Sequence, residues 1–525
     1  MGSKLNKYMN GFYQRVREQP LVAVLFVLGI LFRVVAIASL PPGLNQDEAS
    51  VGYDAYSILH YGIDRNGSFL PIHLIAWGSG QNALYAYLSM PFIFIFGLNE
   101  FSVRIVSALA GAVTMFLFYA IAKRFVKDPR AAALAAFVIV ICPWHLMMSR
   151  WALESNLFPT VVLAAVYFAI KALDNPKRLA VFTVLMAVSL YAYGTAYFFA
   201  PLFTFAVYTV FAAKKAASVR LILLNGAGFA ILALPILLFL IINRYSLNAI
   251  EAIATIPKLT VPRVEQASSV FQSGFLSGAF DNMKRVLDIL VTQNDGLPWN
   301  ALPAFGYMYP IAVPLILLGL ITTIATMARK TDGVSLIIML WLAVALAMGF
   351  AVSDANINRI NIVFYPLLLL VVAGLAWLFR KEKWAGRAAI AVLTVFFAAF
   401  ANTYVRTYPE QIGPLFFESF GEAIRYASDA TDGNVYITDR VNMPYIYVLF
   451  YEKGNPHRFI QTVQYRNPGG AFQVVDAFDR YRFGYPEIRE GEKAAYLYAN
   501  EESMPSDESR YTFKRFKHYT VVLEK

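Results

Sequence analysis

The sequence predicts a polytopic α-helical membrane protein that carries a soluble α/β domain at its C-terminal end. Charge is the first reason. The 525 residues hold 45 Lys/Arg and 34 Asp/Glu, where a soluble chain of this length would hold about 131 charged residues. Composition is the second: 58% of the residues are hydrophobic, which leaves more apolar surface than one water-soluble fold can bury. Distribution is the third. From Tyr404 to the end there are 15 Lys/Arg and 17 Asp/Glu, an ordinary soluble density, leaving 30 and 17 in the first 403 residues. The net charge of +11 therefore divides into +13 for the apolar part and −2 for the tail. The positive excess lies between apolar segments, so it reads as a topology signal and not as a nucleic-acid surface.

Apolar stretches of about 20 residues are long enough to cross the hydrocarbon. They fall near 20–40, 101–122, 131–149, 157–173, 179–192, 195–213, 221–243, 310–328, 334–352, 360–379 and 388–404, which makes eleven expected spans. The first follows Lys4, Lys7, Arg15 and Arg17 and reaches Leu40 without a small-residue cleavage site, so it reads as an uncleaved span. A further stretch, 83–97, is only 15 residues long and contains Pro91. The positive-inside rule assigns it to a juxtamembrane or re-entrant element. With it not crossing, the N-terminus and loops 123–130, 171–178, 214–220, 329–330 and 380–387 are cytoplasmic and hold 20 of the 30 Lys/Arg. The N-terminus is then inside, the long loops 41–100 and 244–309 are outside, and a membrane module over 1–404 is followed by an extracytoplasmic domain over 405–525. In that tail, 434–439, 494–498 and 519–523 have strand patterns and 443–452 a helical one.

The single cysteine, Cys142, lies in an apolar run, so there is no disulfide framework; an outer domain without disulfides fits a prokaryotic cell membrane. The sequence has no tandem repeat, Gly-rich phosphate loop, His/Cys metal constellation or Ser/His pair with usable spacing.

The stretch Leu40-Pro-Pro-Gly-Leu-Asn-Gln-Asp-Glu-Ala-Ser50 sets two adjacent carboxylates, Asp47 and Glu48, just beyond the outer end of the first span. They can start a helix, capped by Asn45 or Asp47. They can also supply a general base at the membrane surface, where partial desolvation lifts a carboxylate toward its working range. Asp54 and His73 follow in the same loop. Two cations break the charge rule: Arg150, beyond the third span in Pro143-Trp-His-Leu-Met-Met-Ser-Arg150, and Arg359, which opens the tenth. Each offers a planar fork suited to a phosphate, or else snorkels to ordinary lipid phosphates or pairs with Glu154 or Asp354. Arg33 and Arg104 read as structural.

These residues in this order, with Tyr85 and Leu88 in the short apolar element and Gly97-Leu-Asn-Glu-Phe-Ser-Val-Arg-Ile-Val-Ser-Ala-Leu-Ala-Gly111 after it, resemble the GT-C glycosyltransferases of the protein O-mannosyltransferase and aminoarabinose transferase type. The resemblance covers roughly 20–405 and implies a GT-C fold of about eleven membrane helices with juxtamembrane helices. It also implies a polyprenyl-phosphate sugar as donor and a catalytic aspartate at Asp47, with Glu48 beside it. Where that family has a basic residue or Pro-Pro before the short apolar element, this chain has Gly80-Gln81-Asn82-Ala83. Arg150 and Arg359 then become the phosphate ligands, with Gln81 and Asn82 as neutral donors and Asp54, His73 and Glu154 as acceptor-side or supporting groups.

A polyprenyl phosphate leaves as an anion, so its departure needs cations or amides more than a protonating acid. One base then suffices, unlike the two carboxyls of a glycosidase. The expected activity is inverting transfer to an extracytoplasmic glycan, lipid or protein in contact with membrane lipids, requiring no cofactor, with a divalent metal left open. A transporter or flippase for a lipid-linked substrate is the alternative; it calls for ionisable groups at the midplane and paired broken helices. A receptor or assembly subunit working through its tail would leave Asp47 and Arg150 without a role.

Overall fold

The computed structural model describes residues 19–261, 275–489 and 491–525. The basic residues Lys4, Lys7, Arg15 and Arg17, and 262–274 of the second long loop, lie outside them. Among the described residues, eight helices are long and apolar enough to cross a membrane: Glu100–Phe125, Glu154–Ala172, Ala196–Ala213, Val219–Arg244, Ala312–Arg329, Gly333–Ala351, Ile357–Lys381 and Lys383–Arg406. Each coincides with one of the eleven apolar stretches.

The other three stretches are realised as shorter helices, Pro20–Val34, Ala131–Ile141 and Leu179–Ser189, because the chain interrupts them. After Val34 the backbone turns at Ala36, with φ of +54°, and Pro41-Pro42 follow. Cys142 takes an extended conformation before Pro143, and the helix restarts as Pro143–Met148; a proline disfavours helix at the preceding residue and cannot donate to the turn behind it. Many large apolar side chains on the membrane helices, Phe205 and Ile231 among them, are exposed, as a surface facing hydrocarbon requires. The Leu84–Phe96 helix has 13 residues and contains Pro91; at 1.5 Å per residue it spans about 20 Å, short of the roughly 30 Å hydrocarbon core.

The tail forms a mixed seven-stranded sheet. Its strands are β1 (Asn434–Ile437), β2 (Gln464–Tyr465), β3 (Val475–Phe478), β4 (Tyr481–Phe483), β5 (Ala494–Ala499), β6 (Tyr511–Arg515) and β7 (Tyr519–Glu524), in the order β6-β7-β5-β1-β4-β3-β2. β1 runs parallel to both neighbours, and the Phe420–Ala430 and Pro444–Tyr451 helices pack with the sheet. Strands β1, β5 and β7 and the 444–451 helix match the sequence patterns. The short β2–β4 and the polar β6 lack the continuous apolar run that marks the others.

The tail and the first long loop share one apolar core. Val51, Tyr53, Ala55 and Tyr85 of the loop are buried with Tyr445, Tyr447, Phe450 and Leu497 of the tail. Gly52 lies where an added Cβ would meet the Phe450 ring and Val103 at 2.8 Å. The Tyr53 hydroxyl donates to the Gly454 carbonyl at 2.7 Å, and the Tyr447 hydroxyl to the Leu44 carbonyl at 2.9 Å.

Candidate active site

The Gln46–Tyr61 helix begins where the sequence supplies a capping box: Asn45 Oδ1 accepts from the Asp47 N–H, and Glu48 Oε2 accepts from the Asn45 N–H. Asn45 is the cap, which leaves both acids in the first turn, where the helix dipole favours them. One residue of helix rotation, about 100°, then gives them different surroundings.

Glu48 is fully buried. Its Oε1 accepts from Arg104 Nε at 2.8 Å and the Ala152 N–H at 2.7 Å, and its Oε2 from Arg104 Nη2 at 2.8 Å and the Asn45 N–H at 3.1 Å. Arg104 spends its remaining donors on the carbonyls of Ile37, Pro41 and Gly43. The pair therefore fastens the loop after the first helix to the Glu100–Phe125 helix. Asp47 is only half-buried and lines a cavity of about 250 Å³.

That cavity also takes Trp77, Gln81, Glu154 and Arg359 into its wall, so four residues singled out in the sequence, at positions 47, 81, 154 and 359, converge on it. The Trp77 indole Nε1–H reaches Asp47 Oδ1 at 3.4 Å. Gln81 accepts the Ser50 hydroxyl at Oε1 (3.2 Å), and its amide nitrogen makes no hydrogen bond among the described residues. Arg359 donates through Nη1 to the Ser353 and Asp354 carbonyls and lies 3.9 Å from the Asp354 carboxylate; its other two nitrogens make no hydrogen bond among the described residues, and its side chain is 24% exposed. Glu154 opens its helix and accepts from the Asn82 main-chain N–H.

Besides Glu48, four expected site residues do not line this cavity. Arg150 donates to the Phe32, Val35 and Leu40 carbonyls and is 2% exposed. It caps the broken end of the first helix, whose carbonyls need donors. Both amide hydrogens of Asn82 go to the Leu190 carbonyl and the Tyr197 hydroxyl. His73 is buried, stacked on Phe239 at 4.2 Å between ring centres. Asp54 is buried, 3.7 Å from Arg65.

The cavity has contributors that the sequence did not single out. Trp77 comes from the first loop, Trp299 from the second, and Asn442 and Phe472 from the tail. The tail contact is specific: the Gln473 N–H donates to the Trp77 carbonyl at 2.8 Å, and Gly78 pairs with Phe472. Gly78 has φ of +95° and stands where a Cβ would meet the Gly470 carbonyl at 2.7 Å, so glycine is required on both counts. Gly78 and Gly80, which follow Trp77, were the available sequence signal. Nothing local marks Phe472, nearly 400 residues on.

Asp64 lies beside Asp54 and Arg65. Its Oδ1 accepts the N–H groups of Asn66 and Ser68, both at 2.9 Å. Burial and the neighbouring Asp54 charge push its carboxyl up to about 7. A folded-state value raised above the unfolded one costs stability once the group ionises, so stability should fall as pH rises from about 4 to about 7 and then level off. Asp64→Asn keeps Oδ1 for both N–H groups. Thermal melts in detergent should show a higher midpoint than the parent at about pH 8 and no difference near pH 4; an unchanged slope would place the titration elsewhere.

Among the described residues, no group of three or more His, Cys, Asp or Glu side chains could hold a metal ion. A half-buried carboxylate and a partly free guanidinium line one cavity, to which the sheet-bearing tail contributes, in a protein with eight membrane-length helices among the described residues. The segment 82–239 matches the family described as dolichyl-phosphate-mannose-protein mannosyltransferase. The whole chain has the fold of ArnT from Cupriavidus metallidurans: the structure bound to undecaprenyl phosphate aligns over 96% of this chain and 98% of that one, at 12% identity and a TM-score of 0.56. The apo structure aligns over 95% and 97%, at 13% identity and 0.55. The Archaeoglobus fulgidus oligosaccharyltransferase, in a complex with zinc and sulfate, aligns over 82% of this chain and 61% of that one, at 13% identity and 0.49. No curated protein sequence matches the chain. The resemblance to the GT-C glycosyltransferases drawn from the sequence thus holds in the matched segment and in the fold.

Proposed function

We propose that this protein is an inverting glycosyltransferase of the cell membrane that moves a sugar from a polyprenyl-phosphate donor to an acceptor outside the cytoplasm. The observation that carries the reading is one cavity lined by both Asp47 and Arg359. The fold shared with ArnT, a protein crystallised with undecaprenyl phosphate, supports a lipid-phosphate donor. The N-terminus is cytoplasmic, the membrane module covers 1–404, and the 405–525 domain closes the site on the outer side.

In this reading the acceptor hydroxyl gives its proton to the Asp47 carboxylate as its oxygen attacks the anomeric carbon. The bond from that carbon to the phosphate oxygen breaks on the opposite face, and the electron pair leaves on the phosphate. Arg359 and the Gln81 amide hold the developing charge, and Glu154 is the supporting carboxylate across the cavity. A single displacement inverts the anomeric centre. Mass spectrometry of the purified protein incubated with undecaprenyl-phosphate hexoses and candidate envelope glycans, lipids and peptides tests the reading; no transfer product from any donor would sink it.

Arg359 gives a direct binding test. Charge-assisted hydrogen bonds contribute more than neutral ones, so Arg359→Ala should weaken undecaprenyl phosphate binding by about 10- to 100-fold. Arg359→Lys should restore part of it, lacking the bidentate fork. Unchanged affinity in the alanine variant would leave Arg359 with no role beyond its contacts to Ser353 and Asp354.

A further inference from the structure

Arg65 is 1% exposed, follows the Gln46–Tyr61 helix, and takes no part in the transfer as written above. Its guanidinium faces two ways. One flat face lies 4.8 Å from the centre of the Trp77 ring, whose indole N–H reaches Asp47. One edge, Nη2, donates to the Ser50 hydroxyl at 2.8 Å, and that hydroxyl donates to Gln81 Oε1. The Arg65 main-chain N–H donates to Asp54 Oδ1 at 3.1 Å, so the group is tied to the helix that carries Asp47 and Ser50. Trp77 also accepts the Gln473 N–H at its carbonyl and makes a T-shaped contact with Tyr445, 6.1 Å between ring centres.

We propose that Arg65 is a positioning residue that sets both halves of the cavity together, aiming Asp47 through Trp77 and the Gln81 amide through Ser50. The inference rests on the roles given above to Asp47 and Gln81. A planar guanidinium can lie over the indole and donate from its edge to the Ser50 hydroxyl, whereas an ammonium is a point charge that does not reproduce this pair of contacts in the same geometry. Neutralising Asp54 and Asp64, by contrast, requires only a positive charge. Arg65→Lys therefore separates the roles: it keeps the charge and gives up the stack and the fork.

Two neutral variants separate the branches. Trp77→Phe keeps an aromatic face for Arg65 and removes the N–H that favours the Asp47 carboxylate over its acid. The acid limb of the turnover profile should then move up by about half to one pH unit, measured with the first undecaprenyl-phosphate hexose that the parent turns over. The ionisable groups around Asp47 include Glu154, Tyr193 and Arg359 on the cavity wall, Glu48 on its own helix with its partner Arg104 on the Glu100–Phe125 helix, and Tyr447 from the tail, and neither variant alters any of them. Ser50→Ala should leave the limb unmoved and weaken undecaprenyl phosphate binding by about 3- to 10-fold. Arg65→Lys should melt like the parent and show both changes.

Parent-like profile and affinity in a folded Arg65→Lys protein would reduce Arg65 to charge balance and overturn the proposal. So would an unmoved limb in Trp77→Phe together with unchanged affinity in Ser50→Ala, whatever the stability of the Arg65 variant. Parent turnover in Asp47→Asn would instead remove the base assignment, and the Trp77 branch with it; a dead Asp47→Asn with an unmoved limb in Trp77→Phe would leave the base standing and overturn the coupling alone.

Discussion

Replacing Asp47 by Asn is expected to leave the fold and donor binding in place and to lower transfer by about 10²–10⁴, the usual contribution of general-base assistance. The amide keeps the size of the carboxylate and an oxygen for the Trp77 indole N–H. The helix start is not at risk, because Asn45 and Glu48 form the capping box. Glu48 cannot substitute as base: Arg104 and the N–H groups of Asn45 and Ala152 occupy all four of its lone-pair directions, so it has no free site for an incoming proton. Transfer rate and undecaprenyl phosphate affinity measured on the same preparation check this. Near-parent turnover in Asp47→Asn would mean that the base lies outside the first loop.

The second large effect is on stability. Glu48→Gln or Arg104→Met should each destabilise the protein by about 3–5 kcal/mol, because removing one partner of a buried ion pair strands the other charge. Both side chains are 0% exposed, so solvent screening offers no relief. That is a large part of the roughly 5–15 kcal/mol that holds a typical domain together, and the loss should appear as a collapse of the thermal midpoint in detergent and of expression yield. The double variant should lose less than the sum of the single ones, since the two groups share one interaction. Equal midpoints for parent and Glu48→Gln would show that the pair does not fasten the loop. Adjacent residues thus give opposite outcomes: the Asp47 variant folds and fails to transfer, and the Glu48 variant fails to hold the site together.

Local features were legible where their causes are local. Low charge and apolar stretches marked the membrane part, because a membrane helix must be apolar along its own length. The capping residues marked the start of the Gln46–Tyr61 helix, since a cap acts within one turn. The apolar runs of β1, β5 and β7, buried along most of their length, were strong enough to be read. The breaks at Ala36 and Cys142 were missed for a related reason: mean hydropathy over about 20 residues averages across an interruption, even one that Pro143 signals.

By itself, then, the sequence determined the membrane class, the eleven apolar stretches, the acidic pair at the end of the first and the α/β character of the tail. Tertiary structure alone decided which acid faces the cavity and which is locked to Arg104. It placed Arg150 as a cap on the first helix, and it brought Gln81, Glu154, Arg359, Asn442 and Phe472 to one cavity. The physical reason is one of range. Hydropathy and capping depend on neighbours within a turn or a span, whereas the surroundings of a side chain depend on helix rotation and on packing between segments hundreds of residues apart.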